Sequence, residues 1–184
     1  MELFLSLCLG IGLSASCGFR VFLPMLAANI AAMSGWLSPG ESFEWLATWP
    51  AFFALLSATI AEISGYYIPF IDNLLDTIAT PAAVIAGTLL TTSFVHIDSP
   101  VLHWGLGLMV GGGTAGIVQA GTGLLRLLSS KTTAGFGNPV VSTAENVASF
   151  GLSGLAIFLP IIALVLVVLL VMWLLKKLLS LKKS

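Results

Sequence analysis

The sequence predicts an all-α protein that lies in a membrane, and composition and charge pattern both support this. Apolar residues make up 58% of the 184 residues and charged residues only 8%, whereas soluble domains carry roughly 25% charged residues. The charges leave six long charge-free runs, and all six are long enough for a membrane-spanning helix, which needs about 17–25 residues. We therefore expect a polytopic helical protein with about six membrane segments, at least one of them broken or re-entrant.

The positions of the charged residues divide the chain into its predicted elements. The predicted segments cover residues 3–18, 21–36, 47–67, 81–96, 101–127 and 148–175. The first segment is short and contains Gly10, Gly12 and Gly18, so we consider a broken helix formed with the second. We expect one membrane domain over residues 1–175, followed by a basic cytoplasmic tail over 176–184.

The lysines at the C-terminus indicate the orientation of the chain. Lys176, Lys177, Lys182 and Lys183 directly follow the most hydrophobic segment. By the positive-inside rule they place the C-terminus in the cytoplasm, and we expect an integral protein of the plasma (inner) membrane. A single crossing by 148–175 would leave Arg126 and Lys131 on the outer side, against the same rule. Either these two residues are functional, or the segment 132–160 re-enters the membrane.

Charge and motifs also exclude classes of function. A net charge of −1 gives no basic surface for a nucleic-acid backbone. The chain has no metal-binding pair of histidines at helical spacing, no nucleophile elbow and no paired catalytic cysteines. We therefore expect no enzyme, no cofactor and no nucleic-acid partner. The expected partners are the lipid bilayer and a small solute or ion, and whether a metal binds stays open.

Two charged residues stand inside or beside apolar segments. Arg20 separates the first two apolar runs, and Glu62 lies late in the third. A charge inside a membrane costs about 2.5–3.5 kcal/mol on insertion scales, so it usually faces a cavity or a partner. The alternatives are a loop arginine that reaches the interface and an interfacial acid near a helix end. We expect both residues to face a polar cavity.

A polar segment precedes the fourth predicted span. Asp72 and Asp76 are four residues apart and share a helix face, with Asn73 beside them. The pattern predicts a short amphipathic helix, with Thr80 capping the next helix and Pro81 at its first position. The two carboxylates either bind a cation through their oxygens or form a solvated helix face.

A second polar break lies before the last apolar run. Asn138-Pro139 predicts a helix start, and Ser142-x-x-Glu145 fits a capping box. Plain helix initiation accounts for both. Broken transporter helices show the same order of a helix start, a polar face and then apolar sequence, with the helix N-terminus directed at the bound solute. We therefore include Asn138, Ser142 and Glu145 in the candidate site.

The fifth segment is rich in glycine. Small residues recur at every fourth position, in the pairs Gly107/Gly111 and Gly112/Gly116. Such spacing lets helix backbones approach closely in lipid. Tight packing within the chain is the simpler interpretation, and a homodimer through this face is the alternative.

Three segments of the chain resemble a known family when they are taken in order. They are Gly12-Leu13-Ser14-Ala15 with Arg20 and Pro24, the run Asp72-Asn73-Leu74-Leu75-Asp76-Thr77 with Thr80-Pro81, and Gly137-Asn138-Pro139 with Ser142 and Glu145. Together they resemble the integral-membrane family called domain of unknown function 4126, from about residue 9 to about residue 160. The resemblance implies a small multi-spanning membrane protein and carries no particular activity.

The expected function is a transporter or channel for an unidentified ion or small solute, with a polar site inside the membrane. The candidate binding residues are Arg20, Glu62, Asp72, Asn73, Asp76, Asn138, Ser142 and Glu145. In this interpretation Glu62 or an aspartate titrates or binds a cation, and Arg20 supplies the counter-charge. One alternative is a non-transporting membrane scaffold or assembly partner in which buried charges fix helix register. An intramembrane enzyme that acts on lipid through Asp72, Asp76 and Mg²⁺ is a third hypothesis.

Overall fold

The computed structural model describes residues 1–133 and 137–181, without the side chains of residues 69, 70, 73 and 178–181. The chain is 87% helical, and its described residues form no strand. The all-α prediction is therefore confirmed. Lys182 and Lys183 of the predicted tail lie outside the described residues.

Eight α-helices are formed by the described residues. They are α1 (Glu2–Cys17), α2 (Phe22–Met33), α3 (Trp49–Gly65), α4 (Pro69–Phe94), α5 (Pro100–Leu106), α6 (Gly113–Thr133), α7 (Asn138–Phe158) and α8 (Pro160–Leu181). A 3₁₀ helix over Glu41–Ala47 precedes α3 and meets it at 64°. A π-helical stretch over Gly107–Gly112 joins α5 to α6.

Four helical segments of the described chain are long and apolar enough to cross a membrane. They are Leu74–Phe94, Pro100–Thr133, Asn138–Phe158 and Pro160–Lys177. The bent pair Glu41–Ala47 and Trp49–Gly65 adds a fifth when it counts as one broken span. At 1.5 Å per residue α1 and α2 reach only about 24 and 18 Å, less than the hydrocarbon core of about 30 Å. The apolar helices fit an integral membrane protein, while the expected number of about six segments is not confirmed.

The segment expected as one span over 148–175 is two helices. Leu159 has φ −138° and ψ 62° between α7 and α8, and Pro160 is the first residue of α8. Proline has no amide hydrogen and disfavours helical backbone at the preceding residue, so the helix breaks there. Because α8 continues to Leu181, the predicted tail begins as helix, and the domain boundary at residue 175 stays a prediction.

The prediction of a helix start at Thr80-Pro81 is wrong. α4 is one helix of 26 residues with Pro81 inside it, so Asp72 and Asp76 belong to the same helix as the span. Proline is tolerated inside membrane helices because neighbouring helices and side chains satisfy the backbone groups that it frees.

Basic residues collect at one end of the bundle. The middle of α6 and the C-terminal half of α8 approach each other, with Gly121 against Leu174 and Leu128 in one pocket with Lys177. Lys131 and Lys176 therefore lie at the same end, which we call the basic end. The conflict with the positive-inside rule arose because a single membrane crossing was expected between Lys131 and Lys176. Two helices, α7 and α8, lie between these residues, so the conflict no longer arises.

Acidic residues collect at the opposite end, which we call the acidic end. The start of α1, the residues after α2 and the end of α4 meet there, and Glu2, Trp36 and His96 line one pocket. The acidic residues at this end are Glu2, Glu41, Glu44 and Asp98. The bundle thus carries charges of opposite sign at its two ends.

The centre of the bundle is α1, which is buried from Cys8 onward except at Ile11 and packs against α4, α6, α7 and α8. Ser14 Oγ donates a hydrogen bond to the Gly87 carbonyl at 2.6 Å. The glycine-rich stretch packs on α4, where a Cβ added to Gly111 would overlap Thr91 and the Gly87 carbonyl. Close packing within the chain therefore accounts for the small-residue pattern, and the homodimer stays a prediction.

Candidate functional site

Polar side chains from five segments meet near the basic end. The segments are the turn between α1 and α2, the end of α3, the start of α4, the middle of α6 and the start of α7. Their meeting side chains, which we call the ionic cluster, are Arg20, Glu62, Tyr66, Asp72, Asp76, Arg126, Asn138, Ser142, Glu145 and Asn146. All of them except Asp76 and Asn146 are buried.

Arg126 lies at the centre of the ionic cluster and is 3% exposed. Its Nε donates to Glu145 Oε1 at 3.1 Å, and its Nη2 donates to Glu145 Oε2 and, at 3.1 Å, to Ser142 Oγ. Its Nη1 donates to Asp72 Oδ1. One guanidinium group from α6 therefore joins α4 to α7.

Arg20 reaches the same carboxylate and pairs with the same oxygen, Glu145 Oε2. Its Nε donates to Asn146 Oδ1 at 2.5 Å, and its Nη2 donates to the Ser142 carbonyl at 3.1 Å. Nη2 also lies 3.2 Å from Glu145 Oε2. Because Gly18 packs directly on α6, the turn after α1 is held inside the bundle and Arg20 cannot extend to the interface. Glu145 thus balances two guanidinium groups.

The ring of Tyr66 lies against both guanidinium groups. The Cζ atoms of Arg20 and Arg126 are 3.9 and 4.0 Å from the ring centroid, well within the range of cation–π attraction. Tyr66 follows the last residue of α3, and burial raises the pKa of its phenol. The ring is therefore neutral at physiological pH, and its π surface attracts both guanidinium groups.

Glu62 satisfies the first backbone donors of α2. Its carboxylate accepts hydrogen bonds from the N–H groups of Val21 at 2.7 Å and Phe22 at 3.0 Å. α2 has no side-chain cap of its own, and an anion near a helix N-terminus is stabilising. The carboxylate of α3 therefore acts as the cap of α2 and holds the Arg20 turn in place.

The two aspartates of α4 have different surroundings. Asp72 Oδ2 accepts a hydrogen bond from Asn138 Nδ2 at 3.0 Å, and the Asp72 side chain is 4% exposed. Asp76 is 29% exposed, and its Oδ1 lies 3.6 Å from Arg126 Nη1. This oxygen accepts no hydrogen bond from any described residue. Asp76 is thus the most exposed carboxylate of the cluster, although its Oδ1 is itself buried beside Arg126.

The capping box predicted at Ser142 and Glu145 is wrong. α7 begins at Asn138 without a side-chain cap, so both residues lie inside the helix. Ser142 and Glu145 contact Arg126 of α6 instead of their own backbone. The helix start predicted at Asn138-Pro139 is confirmed, but the Asn138 amide bonds to Asp72 and Ser130 and does not cap the helix.

The carboxylates of the cluster outnumber the guanidinium groups. Two guanidinium groups, of Arg20 and Arg126, face four carboxylates, of Glu62, Asp72, Asp76 and Glu145. If all are ionised, the cluster has a net charge of −2. Within the described part of the chain no three His, Cys, Asp or Glu side chains are arranged to hold a metal ion.

An apolar groove of about 490 Å³ leads from the outer surface of the bundle to this cluster. Its walls are residues of α3 and α4, and Glu62 and Tyr66 lie in its lining with Val21 and Phe22. Gly65 lies against Leu75 where the two helices meet. The groove places an apolar surface directly beside a charged one.

A family model described as Domain of unknown function (DUF4126) matches residues 7–179. The chain belongs to this family. The match covers every residue of the ionic cluster in this DUF4126 chain. No curated protein and no solved structure matches the chain. The family supports a multi-spanning membrane protein, and the activity has to be argued from the site.

The structure brings the sequence-predicted residues together. Arg20, Glu62, Asp72, Asp76, Asn138, Ser142 and Glu145 all lie in the ionic cluster. The side chain of Asn73 lies outside the described residues. Their role in binding stays a prediction.

Three members of the cluster were not predicted as site residues, namely Tyr66, Arg126 and Asn146. The sequence did mark Arg126 as unusual, because its position conflicted with the positive-inside rule. Nothing in the sequence marked Tyr66 as a site residue, since an aromatic residue near a span end is typical of any membrane interface.

Proposed function

We propose that the protein is a small transporter or channel and that the ionic cluster is its ion-binding site. The observation that carries the proposal is the excess of four carboxylates over two guanidinium groups among apolar helices. Charges are expensive in a membrane and persist there when they have a partner or a function. An excess of negative charge attracts a proton or a small cation.

Asp76 is the group at which such an ion would bind. Its Oδ1 accepts no hydrogen bond from a described residue and lies 3.6 Å from Arg126 Nη1. A proton or cation on Asp76 would weaken its attraction for Arg126 and leave that guanidinium to Asp72 and Glu145. Because Asp76 is on α4 and Glu145 on α7, ion binding would shift the balance of forces between these helices.

The ionic cluster also bears on the scaffold hypothesis. Buried ion pairs offset their desolvation cost only when further hydrogen bonds satisfy the remaining lone pairs and protons. The cluster has a surplus carboxylate with an oxygen that lacks a donor among the described residues. This difference favours ion binding over a scaffold. Ion binding also needs no covalent chemistry, which favours it over an enzyme.

For the orientation, we propose that the basic end faces the cytoplasm and that the protein lies in the inner (plasma) membrane. Lys131, Lys176 and Lys177 support this assignment through the positive-inside rule. The acidic end then faces outward, where its carboxylates raise the local concentration of cations.

Reconstitution into liposomes tests the proposed function. Fluxes of H⁺, Na⁺, K⁺, Mg²⁺ and a panel of small solutes are measured under imposed gradients, with protein-free liposomes as the control. We expect flux of at least one cation, either alone or coupled to a solute. A folded protein that moves no member of the panel, together with a stoichiometric protein partner in a pull-down, would establish the scaffold instead.

A further inference from the structure

The buried face of α7 is polar along most of the helix. Its buried residues are Asn138, Ser142, Glu145, Ser149, Ser153 and Ala156. Its exposed face is apolar and includes Val140, Val147 and Phe150. A helix with its polar side turned into the bundle and its apolar side turned out lines protein interior or water rather than lipid.

This polar face is long. From Asn138 to Ser153 the helix rises about 22 Å at 1.5 Å per residue, against a hydrocarbon core of about 30 Å. Successive members are three or four residues apart, which puts their Cβ atoms about 5–6 Å from each other. Such a gap is too long for a direct hydrogen bond between short side chains, and one bridging water spans it.

Two fully buried polar atoms beyond the cluster have no hydrogen-bond partner among the described residues. Ser153 is 1% exposed and Asn29 is 0% exposed, and the atoms concerned are Ser153 Oγ and Asn29 Oδ1. The Nδ2 of the same Asn29 amide donates to the carbonyls of Leu46 and Thr48. By contrast, Ser149 Oγ donates to the Ser16 carbonyl at 3.1 Å. Buried polar groups without a protein partner commonly bind water.

The two atoms belong to neighbouring helices that run in the same direction. α2 and α7 meet near the basic end, where Arg20 bonds Asn146. They meet again at the acidic end, where the rings of Trp36 and Phe158 are 5.1 Å apart. Asn29 is eight residues past Val21 and Ser153 is eight past Glu145, so each lies about 12 Å beyond the cluster.

We propose that the buried polar face of α7 lines a chain of water molecules that carries protons between the acidic end and the ionic cluster. The proposal rests on the proposed function and names the proton as its transported or coupling ion. Each hydroxyl group or water accepts one proton and releases another to its neighbour, so no group is oxidised or consumed. The proton arrives at a cluster carboxylate and leaves through Asp76, the partly exposed one.

Close packing alone is the competing explanation, because small residues let α1 and α7 approach each other. Packing uses the hydroxyl group of Ser149, which bonds the Ser16 carbonyl, whereas alanine would serve equally well at Ser153, whose Oγ has no partner among the described residues. Ser153→Ala therefore keeps the packing and removes a relay step, while Ser149→Ala also removes a hydrogen bond to α1.

The first test detects water directly and does not depend on transport. In a Cys8→Ala/Cys17→Ala background, Ser153→Cys places a single thiol on the polar face, and infrared spectroscopy follows its S–H band after transfer to D₂O. Val118→Cys is the dry control, because Val118 is 0% exposed in an apolar cluster. We expect rapid exchange at position 153 and slow exchange at 118. Equal, slow exchange at both positions in folded protein would overturn the water chain.

The second test measures proton flux in liposomes that contain a pH-sensitive dye. We expect the Ser149→Ala/Ser153→Ala double variant to conduct about tenfold less than the wild type, because two relay steps are lost. Thr143→Ala, on the exposed side of α7, is the matched control. Proton flux that is unchanged in the double variant overturns the relay and leaves the proposed function standing. Rapid thiol exchange in a protein that moves no proton overturns proton conduction itself.

Discussion

Arg126 and Glu145 form a two-point ion pair between α6 and α7. Arg126 Nε lies 3.1 Å from Glu145 Oε1, and Nη2 donates to Oε2. The two side chains are 3% and 6% exposed. Because Glu145 also pairs with Arg20 at 3.2 Å, it is the carboxylate on which both buried guanidinium groups depend.

Glu145→Gln should strongly destabilise the protein. The substitution keeps the shape of the side chain but leaves Arg20 and Arg126 without their shared counter-charge, and breaking a buried ion pair costs about 3–5 kcal/mol. Denaturant unfolding in detergent measures the loss. Glu44→Gln, at an exposed carboxylate of the acidic end, is the control and should stay within about 0.5 kcal/mol of wild type. Equal stability of the two variants would show that the Glu145 ion pairs contribute no net stability.

The two aspartates of α4 should respond differently to the same substitution. Asp72→Asn removes a buried carboxylate that bonds Arg126 and Asn138, and we expect a loss of about 3–5 kcal/mol. Asp76→Asn removes a partly exposed carboxylate without a described hydrogen bond, and we expect a change below about 1 kcal/mol. Unfolding of both variants under identical conditions checks the order, and a larger loss for Asp76→Asn would contradict it.

Tyr66→Leu should destabilise the cluster, and Tyr66→Phe should not. Leucine keeps an apolar side chain but has no π face for the two guanidinium groups, and desolvated cation–π contacts contribute about 2 kcal/mol or more. Phenylalanine keeps the ring and removes only the hydroxyl. Thermal unfolding of the two variants separates the ring from the hydroxyl, and equal losses would show that the ring face plays no part.

The position of the ionic cluster follows from the sequence because the bilayer penalises every buried charge. Arg20 and Glu62 interrupt apolar runs, and Asp72 and Asp76 share one helix face, so each needs a partner inside the bundle. The sequence does not specify which partner, since pairing depends on how α3, α4, α6 and α7 pack. Arg126 could therefore be recognised as anomalous but not as the centre of the cluster.

Local patterns were misread where tertiary partners compete with the helix's own backbone. Ser142 and Glu145 have the spacing of a capping box, yet a guanidinium group offers them a stronger, charged hydrogen bond. Pro81 marks a helix start in water, whereas neighbouring groups in a membrane bundle satisfy the backbone groups it frees. Pro160 ends a helix because the preceding Leu159 leaves the helical conformation.

Gly111→Ala should destabilise the contact between α4 and the glycine-rich stretch. An added Cβ would overlap Thr91 Oγ1 and the Gly87 carbonyl, and overpacking costs about 1–3 kcal/mol. At Gly113 nothing lies within 4 Å of an added Cβ, so Gly113→Ala is the control and should be neutral or stabilising by up to about 1 kcal/mol. Denaturant unfolding compares them, and indistinguishable variants would show that α4 does not pack closely there.

The orientation of the bundle can be read from single cysteines in cells. Cys8 and Cys17 are buried, so the native thiols should not react with a membrane-impermeant reagent. We expect external reagent to label Glu44→Cys at the acidic end and to label Lys131→Cys only after the cells are opened. The reverse pattern would place the basic end outside.

Cation flux through Asp76→Asn protein tests the central claim most directly, since this substitution removes the most exposed carboxylate of the cluster and leaves the other ion pairs in place. Wild type, Asp76→Asn and Glu44→Gln are reconstituted at equal protein density, and their folding is confirmed by unfolding midpoints. We predict that wild type and Glu44→Gln move the same cation at similar rates and that Asp76→Asn does not. Wild-type flux in folded Asp76→Asn protein would contradict the assignment of the ionic cluster as the ion-binding site.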